Sequence, residues 1–248
     1  MAGTRPSGRA QRPARHEGDL PHVRDLPKPR ESSGAIAPLF RTVFAWPYRI
    51  GLLGLYRAGL LPWQLTLLSL ATNGVIGWLL ITERRFLPGA LLLVAGLLDI
   101  FDGGLARLRG TAGRGGAFLD SVVDRISDVI LFGCLFWSLA GQGHRLSAAL
   151  ALAALLVTLT VSHVRAEAEA VGLSLTEGFL QRLERYVLLM IGLTAPGTLL
   201  PVLFVLTALG GLTVIQRIGS AWRQLAEKPE SPEERPSRRR VTKSAPHP

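Results

Sequence analysis

Residues 99–128 read DIFDGGLARLRGTAGRGGAFLDSVVDRISD. This stretch holds Asp99, Asp102, Asp120, Asp124 and Asp128, all the aspartates found between residues 42 and 216. Its flanks, 87–98 (LPGALLLVAGLL) and 129–141 (VILFGCLFWSLAG), carry no charge, so the acids sit at the ends of two apolar segments. Asp99 and Asp102 are spaced i,i+3 and point from one face of a helix. Asp120, Asp124 and Asp128 are spaced i,i+4,i+8 and share a face of the next one. The link from Arg109 to Gly116 is short, polar and glycine-rich. It predicts that the two helices are antiparallel neighbours, with four or five carboxylates converging near their ends.

Left alone, such a cluster is unfavourable. An ionised carboxylate at the centre of a bilayer costs about 2.5–3.5 kcal/mol on insertion scales, and like charges repel one another. Divalent cations resolve the conflict, and an all-oxygen ligand set favours Mg²⁺ or Mn²⁺ over softer metals. Gly103, Ala106 and Gly116 surround the acids with little side-chain bulk, which leaves room for a phosphate ligand that Arg107 can face. The competing reading is a set of ordinary salt bridges to Arg107, Arg114 and Arg125. It has most weight at Asp128, since Arg125 lies three residues before it.

Outward from this stretch, the chain divides sharply. It has 248 residues, 48% of them hydrophobic, with mean hydropathy +0.30 and a net charge of +10. Residues 1–41 and 217–248 hold 16 of the 28 Lys/Arg, whereas residues 42–216 hold 12 basic and 10 acidic side chains. An apolar middle between basic tails reads as an integral membrane protein. Basic residues flanking spans meet anionic lipid, and the tails lack the interleaved aromatics of a nucleic-acid surface, so no nucleic-acid partner is expected. Cys134 is a single cysteine, which excludes an internal disulfide and a cysteine-based zinc site. Residues 1–35 contain no apolar run and are expected to be a disordered tail without a cleavable signal peptide.

The fold class expected is an all-α membrane protein. An interfacial amphipathic helix over 36–59 precedes six transmembrane helices near 62–82, 87–108, 117–141, 145–168, 183–196 and 197–217. The core domain then runs over 36–217, and 218–248 forms a second disordered basic tail. With the amino terminus inside, cytoplasmic loops hold Arg107, Arg109, Arg114, Arg165, Arg182 and Arg185. Outer loops hold Arg84, Arg85 and Arg145. Both termini and the acid cluster are therefore expected on the cytoplasmic side of the plasma membrane.

The spacing D-x2-D-G-x2-A-R-x8-G-x3-D-x3-D is met at Asp99, Asp102, Gly103, Ala106, Arg107, Gly116, Asp120 and Asp124. In this the chain resembles the CDP-alcohol phosphotransferase family of membrane enzymes. The resemblance implies a six-span enzyme, commonly a homodimer, that moves a substituted phosphate from a CDP-linked lipid such as CDP-diacylglycerol to a polar alcohol and releases CMP. It implies that Asp99, Asp102 and Asp120 hold divalent metal, two ions of Mg²⁺ or Mn²⁺. It also implies that Asp124 contacts metal and serves as base on the acceptor hydroxyl. Gly103 and Arg107, with Ala106 and Gly116 making space, would form the donor site. PWQLT (62–66) resembles the family's Pro-x-x-x-Thr stretch and adds Thr66 to it.

Residues 162–186, SHVRAEAEAVGLSLTEGFLQRLERY, resemble the branch whose acceptor is inositol phosphate. There Arg165, Arg182 and Arg185 would grip the acceptor's phosphate. The departures are His163 for Tyr, Gln181 for Glu, and Glu167 where a second basic residue is frequent. His163 itself is expected to be packed at a span end. Glycerol 3-phosphate is the alternative acceptor, although LDSVVDR (119–125) lacks the Pro and Lys typical of glycerophosphate-accepting relatives. Readings from other classes fare worse. A cation transporter has no need of Gly103, Ala106 and Arg107 at these intervals, and a non-catalytic scaffold would be indifferent to the motif. A prenyltransferase expects two separated Asp-rich loops, and an EF-hand needs acids at alternate positions.

Overall fold

The computed structural model describes residues 37–82, 86–175 and 182–227, and every regular element among them is an α-helix. The elements are α1 (Ala37–Arg57), α2 (Pro62–Ile81), α3 (Phe86–Arg109), α4 (Arg114–Gly141), α5 (Arg145–Ala170), α6 (Arg182–Thr194) and α7 (Leu199–Glu227). The predicted tail 1–35 lies outside the described residues, as do Glu83 to Arg85, most of the segment before α6, and residues 228–248.

Local chemistry sets the boundaries. Pro62 occupies the first turn of α2, where its missing N–H costs nothing, and the Gln64 side chain reaches back to accept from the Leu61 N–H at 2.9 Å. At the other critical end, α3 stops at Gly110, which adopts φ +68° and lets the Thr111 N–H return to the Ala106 carbonyl at 3.0 Å. That turn sends the chain into α4 within four residues.

The helices close into a ring. α2 packs on α3 and α4, α4 on α5, α5 on α7, α7 on α6, and α6 on α3. The apolar core fills the ring, with Ile76, Leu92, Leu131, Ala151, Leu189 and Leu203 almost wholly buried. α1 sits outside it against α3, where Tyr48 and Leu52 join Leu65 and Leu105 in a second cluster. Close approach within the ring depends on small residues. A Cβ on Gly77 of α2 would stand 2.9 Å from both Cys134 Sγ and Ile130 Cγ2 of α4. Gly77→Val is therefore expected to cost about 1–3 kcal/mol by overpacking, read as a lower thermal midpoint of the detergent-solubilised protein.

Three expectations are corrected or refined. α3 and α4 are not packed neighbours: α2 lies between them, and their helical backbones nowhere come close. The acids of the two helices meet across that gap. Secondly, among the described residues four helices, α2, α3, α5 and α7, meet the length and apolarity needed to cross a membrane, which is the part of the expected six-span arrangement that composition and length carry. α4 has the length, at 28 residues, but carries Arg114, Asp120, Asp124, Arg125 and Asp128 between its start and its midpoint. α6 has only 13 residues. Thirdly, α7 does not end at 217 but continues to Glu227, because Ile218, Ala221, Trp222 and Leu225 extend one apolar stripe past Arg217.

Candidate active site

All charged residues of interest lie at one end of the ring. They come from the end of α3, the start of α4, the end of α5, the start of α6 and the far half of α7, and the start of α2 adds the Thr66 hydroxyl. Asp99, Asp120 and Asp124 each bring a carboxylate oxygen within 4.8 Å of the other two. Three hard oxygen donors at that spacing, from two helices held apart, fit a divalent cation such as Mg²⁺ or Mn²⁺. The i,i+4 repeat brings Asp120 and Asp124 to one face of α4, and Asp99 reaches them from the last turns of α3.

Asp102 stands apart from that trio. It is 5% exposed, and its Oδ2 accepts from the Thr66 hydroxyl at 2.7 Å. Thr66 is equally buried, so the α2 hydroxyl and the α3 carboxylate satisfy each other beside the cluster. Gly103 lies next along α3, and a Cβ there would stand 3.5 Å from Arg107 Nη1. Arg107 is exposed, Ala106 is half-buried, and Gly116 opens onto empty space at the start of α4.

The three arginines expected to bind an acceptor have three different settings. Arg182 reaches into the acid trio: Nη1 lies 2.9 Å from Asp99 Oδ1 and also pairs with Asp124 Oδ1. Its guanidinium lies over the Tyr186 ring and donates to the Tyr186 hydroxyl at 3.3 Å, which in turn donates to Asn73 Oδ1 at 3.2 Å. A buried chain thus ties α6 to α2 and delivers one cation to the carboxylates. Arg185 pairs with Asp128 through Nη2 and Oδ2 at 3.0 Å, both side chains being almost enclosed. Arg165 is exposed and held by Glu169 at 2.8 Å.

The expected Asp128–Arg125 pairing is replaced. Arg125 turns back along α4 to Ser121 and reaches the Ser162 carbonyl of α5 at 3.4 Å, leaving Asp128 to Arg185. His163 is not packed. Its side chain is 70% exposed and lies 3.8 Å from Glu167, one turn on.

Two participants escaped sequence reasoning. Arg217 of α7 is buried and donates to the Val161 carbonyl at 3.0 Å, and the charges of Arg165, Arg185 and Glu169 all act on it. The available signal was a cation inside an otherwise apolar helix, masked by the assignment of 218 onward to a tail. Tyr48 of α1 is the other. Burial pushes its hydroxyl above the usual phenol range, opposed by Arg107, so it stays a neutral O–H at physiological pH.

The sequence profile of CDP-alcohol phosphatidyltransferase matches residues 59–218, which run from before α2 into α7 and include every acid and arginine of the site. The chain belongs to that family. As a CDP-alcohol phosphatidyltransferase family member it is an enzyme and an integral membrane protein. The phosphatidylinositol phosphate synthase of Mycobacterium marinum is 32% identical over 179 residues, covering 68% of this chain and 76% of that one. The archaetidylinositol phosphate synthase of Methanothermobacter thermautotrophicus is 37% identical over 142 residues, 55% of this chain and 70% of that one. Among solved structures, the Mycobacterium tuberculosis phosphatidylinositol phosphate synthase with CDP-DAG bound superposes with a TM-score of 0.63 at 30% identity. The match covers 69% of this chain and 91% of that one. The same mycobacterial enzyme in complex with manganese and citrate gives an equal score.

Proposed function

We propose that this CDP-alcohol phosphatidyltransferase transfers the phosphatidyl group of CDP-diacylglycerol to a polar alcohol, with inositol phosphate as acceptor, and releases CMP. The observation that carries the reading is the meeting of Asp99, Asp120 and Asp124 oxygens across the gap between α3 and α4. Asp102, tied to Thr66, would complete the metal-holding set. When bound, two ions of Mg²⁺ or Mn²⁺ would neutralise the donor's diphosphate and sharpen the phosphorus as an electrophile.

The protein's own groups account for the rest. Gly103, Ala106 and Gly116 leave the donor's path clear of side chains, and Arg107 presents a guanidinium to its phosphate oxygens. Asp124 takes the proton from the acceptor hydroxyl. The acceptor oxygen then bonds to the lipid-bearing phosphorus, the bond to the CMP oxygen breaks, and CMP leaves with its phosphate. Arg165, Arg185 and the newly found Arg217 supply the positive field for a phosphorylated acceptor, which the names of the relatives favour over an uncharged one.

The proposal carries a topology with it. α1 lies in the interface, α2 to α7 all cross the plasma membrane, and both termini and the site face the cytoplasm. For α4 the acids lie at one end, and the uncharged stretch from Val129 to Gly141 lies in the hydrocarbon. The domain spans 36–217 with the helical extension of α7, and a homodimer is the expected assembly.

Purified protein in detergent or vesicles, given CDP-diacylglycerol, Mg²⁺ or Mn²⁺, and inositol phosphate, should release CMP and form phosphatidylinositol phosphate. Chelation with EDTA should abolish both, and readdition of either ion should restore them. Turnover with glycerol 3-phosphate but not inositol phosphate would transfer the acceptor assignment. CMP release with no alcohol tested would overturn the reading.

A further inference from the structure

Tyr48 belongs to α1, outside the ring, yet it is only 5% exposed. Its ring stacks on Phe101 of α3, with centroids 5.4 Å apart and planes inclined by 4°. Two glycines admit this arrangement. A Cβ on Gly104 would collide with the Tyr48 hydroxyl, and one on Gly51 would stand 2.7 Å from the rim of Phe101. α1 thereby meets α3 across bare backbone, and the phenol oxygen is carried to a point one helical turn before Arg107.

Two polar groups act on that oxygen there. The Arg107 guanidinium, one turn on along α3, and the Asp102 carboxylate both act on it through their charge. The hydroxyl is sealed from solvent and completes no well-formed hydrogen bond. A buried hydroxyl in that condition is unfavourable and needs an explanation beyond packing. Phenylalanine would fill the same space and keep the ring stack without the polar atom. The polar atom feels the charge of the one cation that the donor reading assigns to the diphosphate.

We propose that Tyr48 is a positioning residue for the donor: its hydroxyl braces the Arg107 guanidinium, so that Arg107 is preset to meet the diphosphate of a cytidine-diphosphate lipid. The inference rests on the donor role of Arg107 argued above. Arg107 is exposed and long, and a free guanidinium gives up rotamer freedom when it binds. A brace on one flank removes part of that loss before the ligand arrives. The interfacial helix then does more than lie on the membrane, because it supplies one wall of the donor site.

A double-mutant cycle on the full-length protein tests this, with the KM for CDP-diacylglycerol and the inhibition constant of CDP as readouts. CDP has the diphosphate but no acyl chains, so a loosened α1 that disturbs only lipid seating leaves its inhibition constant unchanged. Tyr48→Phe is expected to raise both constants roughly three- to tenfold, the size of one ordinary hydrogen bond, with the acceptor KM unmoved. In an Arg107→Gln background the same change is expected to have no effect. Gly104→Ala, which displaces the hydroxyl while Tyr48 is retained, is expected to reproduce the shift.

If Arg107→Gln weakens CDP binding but Tyr48→Phe does not, the brace is wrong and the donor site stands. If Tyr48→Phe costs the same with and without Arg107, the brace is also wrong. If Arg107→Gln leaves CDP binding intact, the donor reading itself falls and takes the brace with it.

Discussion

Asp124→Asn is expected to lower turnover by roughly 10²–10⁴-fold, the usual contribution of a positioned general base, while the protein stays folded. Asparagine preserves the shape of the side chain and removes its charge and its ability to take a proton. Asp124 shares the cluster with Asp99 and Asp120, and its Oδ1 pairs with Arg182. The substitution therefore changes two things at once: the proton acceptor is lost, and the metal loses one of three converging oxygens. Titration with Mn²⁺, followed by electron paramagnetic resonance, separates them. A modest loss of Mn²⁺ affinity with a large loss of kcat at saturating metal identifies the base. An equal loss in both assigns Asp124 to metal alone. Stability should change little, because Arg182 keeps Asp99 at 2.9 Å and its contact with Tyr186. A kcat within a few-fold of the parent would remove Asp124 from the chemistry.

The acid pattern could be read from sequence in part: periodicity gathers Asp99, Asp120 and Asp124, but of the four or five acids expected to converge, Asp102 is held by Thr66 and Asp128 by Arg185. Once 99–102 and 120–128 were helical, i,i+3 and i,i+4 spacing fixed which carboxylates share a face, and the turn at Gly110 brought the two faces to one end of the protein. Helix positions were equally legible, since apolar runs of about 20 residues are bounded here by Gly, Pro and charge. Partnerships between elements were not. Nothing in the period of α3 or α4 says that α2 inserts between them, so adjacency in sequence does not carry over to adjacency in space. Asp128 illustrates the same blindness. Arg125 lay within helical reach, but it spans to the Ser162 carbonyl, and the partner of Asp128 comes from α6, 57 residues away. Tyr48 looked like one more interfacial aromatic, because only the bare backbone at Gly104 turns it into a neighbour of Arg107.

Asp128→Ala is expected to destabilise the protein by about 3–5 kcal/mol, the penalty for leaving one partner of a buried ion pair alone. Asp128 and Arg185 keep side-chain exposures of 3% and 11%, and the charged hydrogen bond between them measures 3.0 Å. Without the carboxylate, the guanidinium is enclosed beside Arg217, whose positive charge it already feels. The cost should appear as a lower thermal midpoint in detergent. The double variant Asp128→Ala, Arg185→Met should recover much of it, since removing both charges leaves no orphan. Function should separate from stability. If Arg185 belongs to the acceptor site, Asp128→Ala lets it leave its position, so the acceptor KM rises while the donor KM holds. The stabilised double variant would then remain poor in acceptor binding. If the double variant instead recovers acceptor KM along with its midpoint, the pair is a structural strut, and the positive field for an acceptor phosphate reduces to Arg165 and Arg217. The pair stands between the acid trio and the basic residues of α5 and α7, so it has both possible roles, and only the comparison of these two constants assigns one.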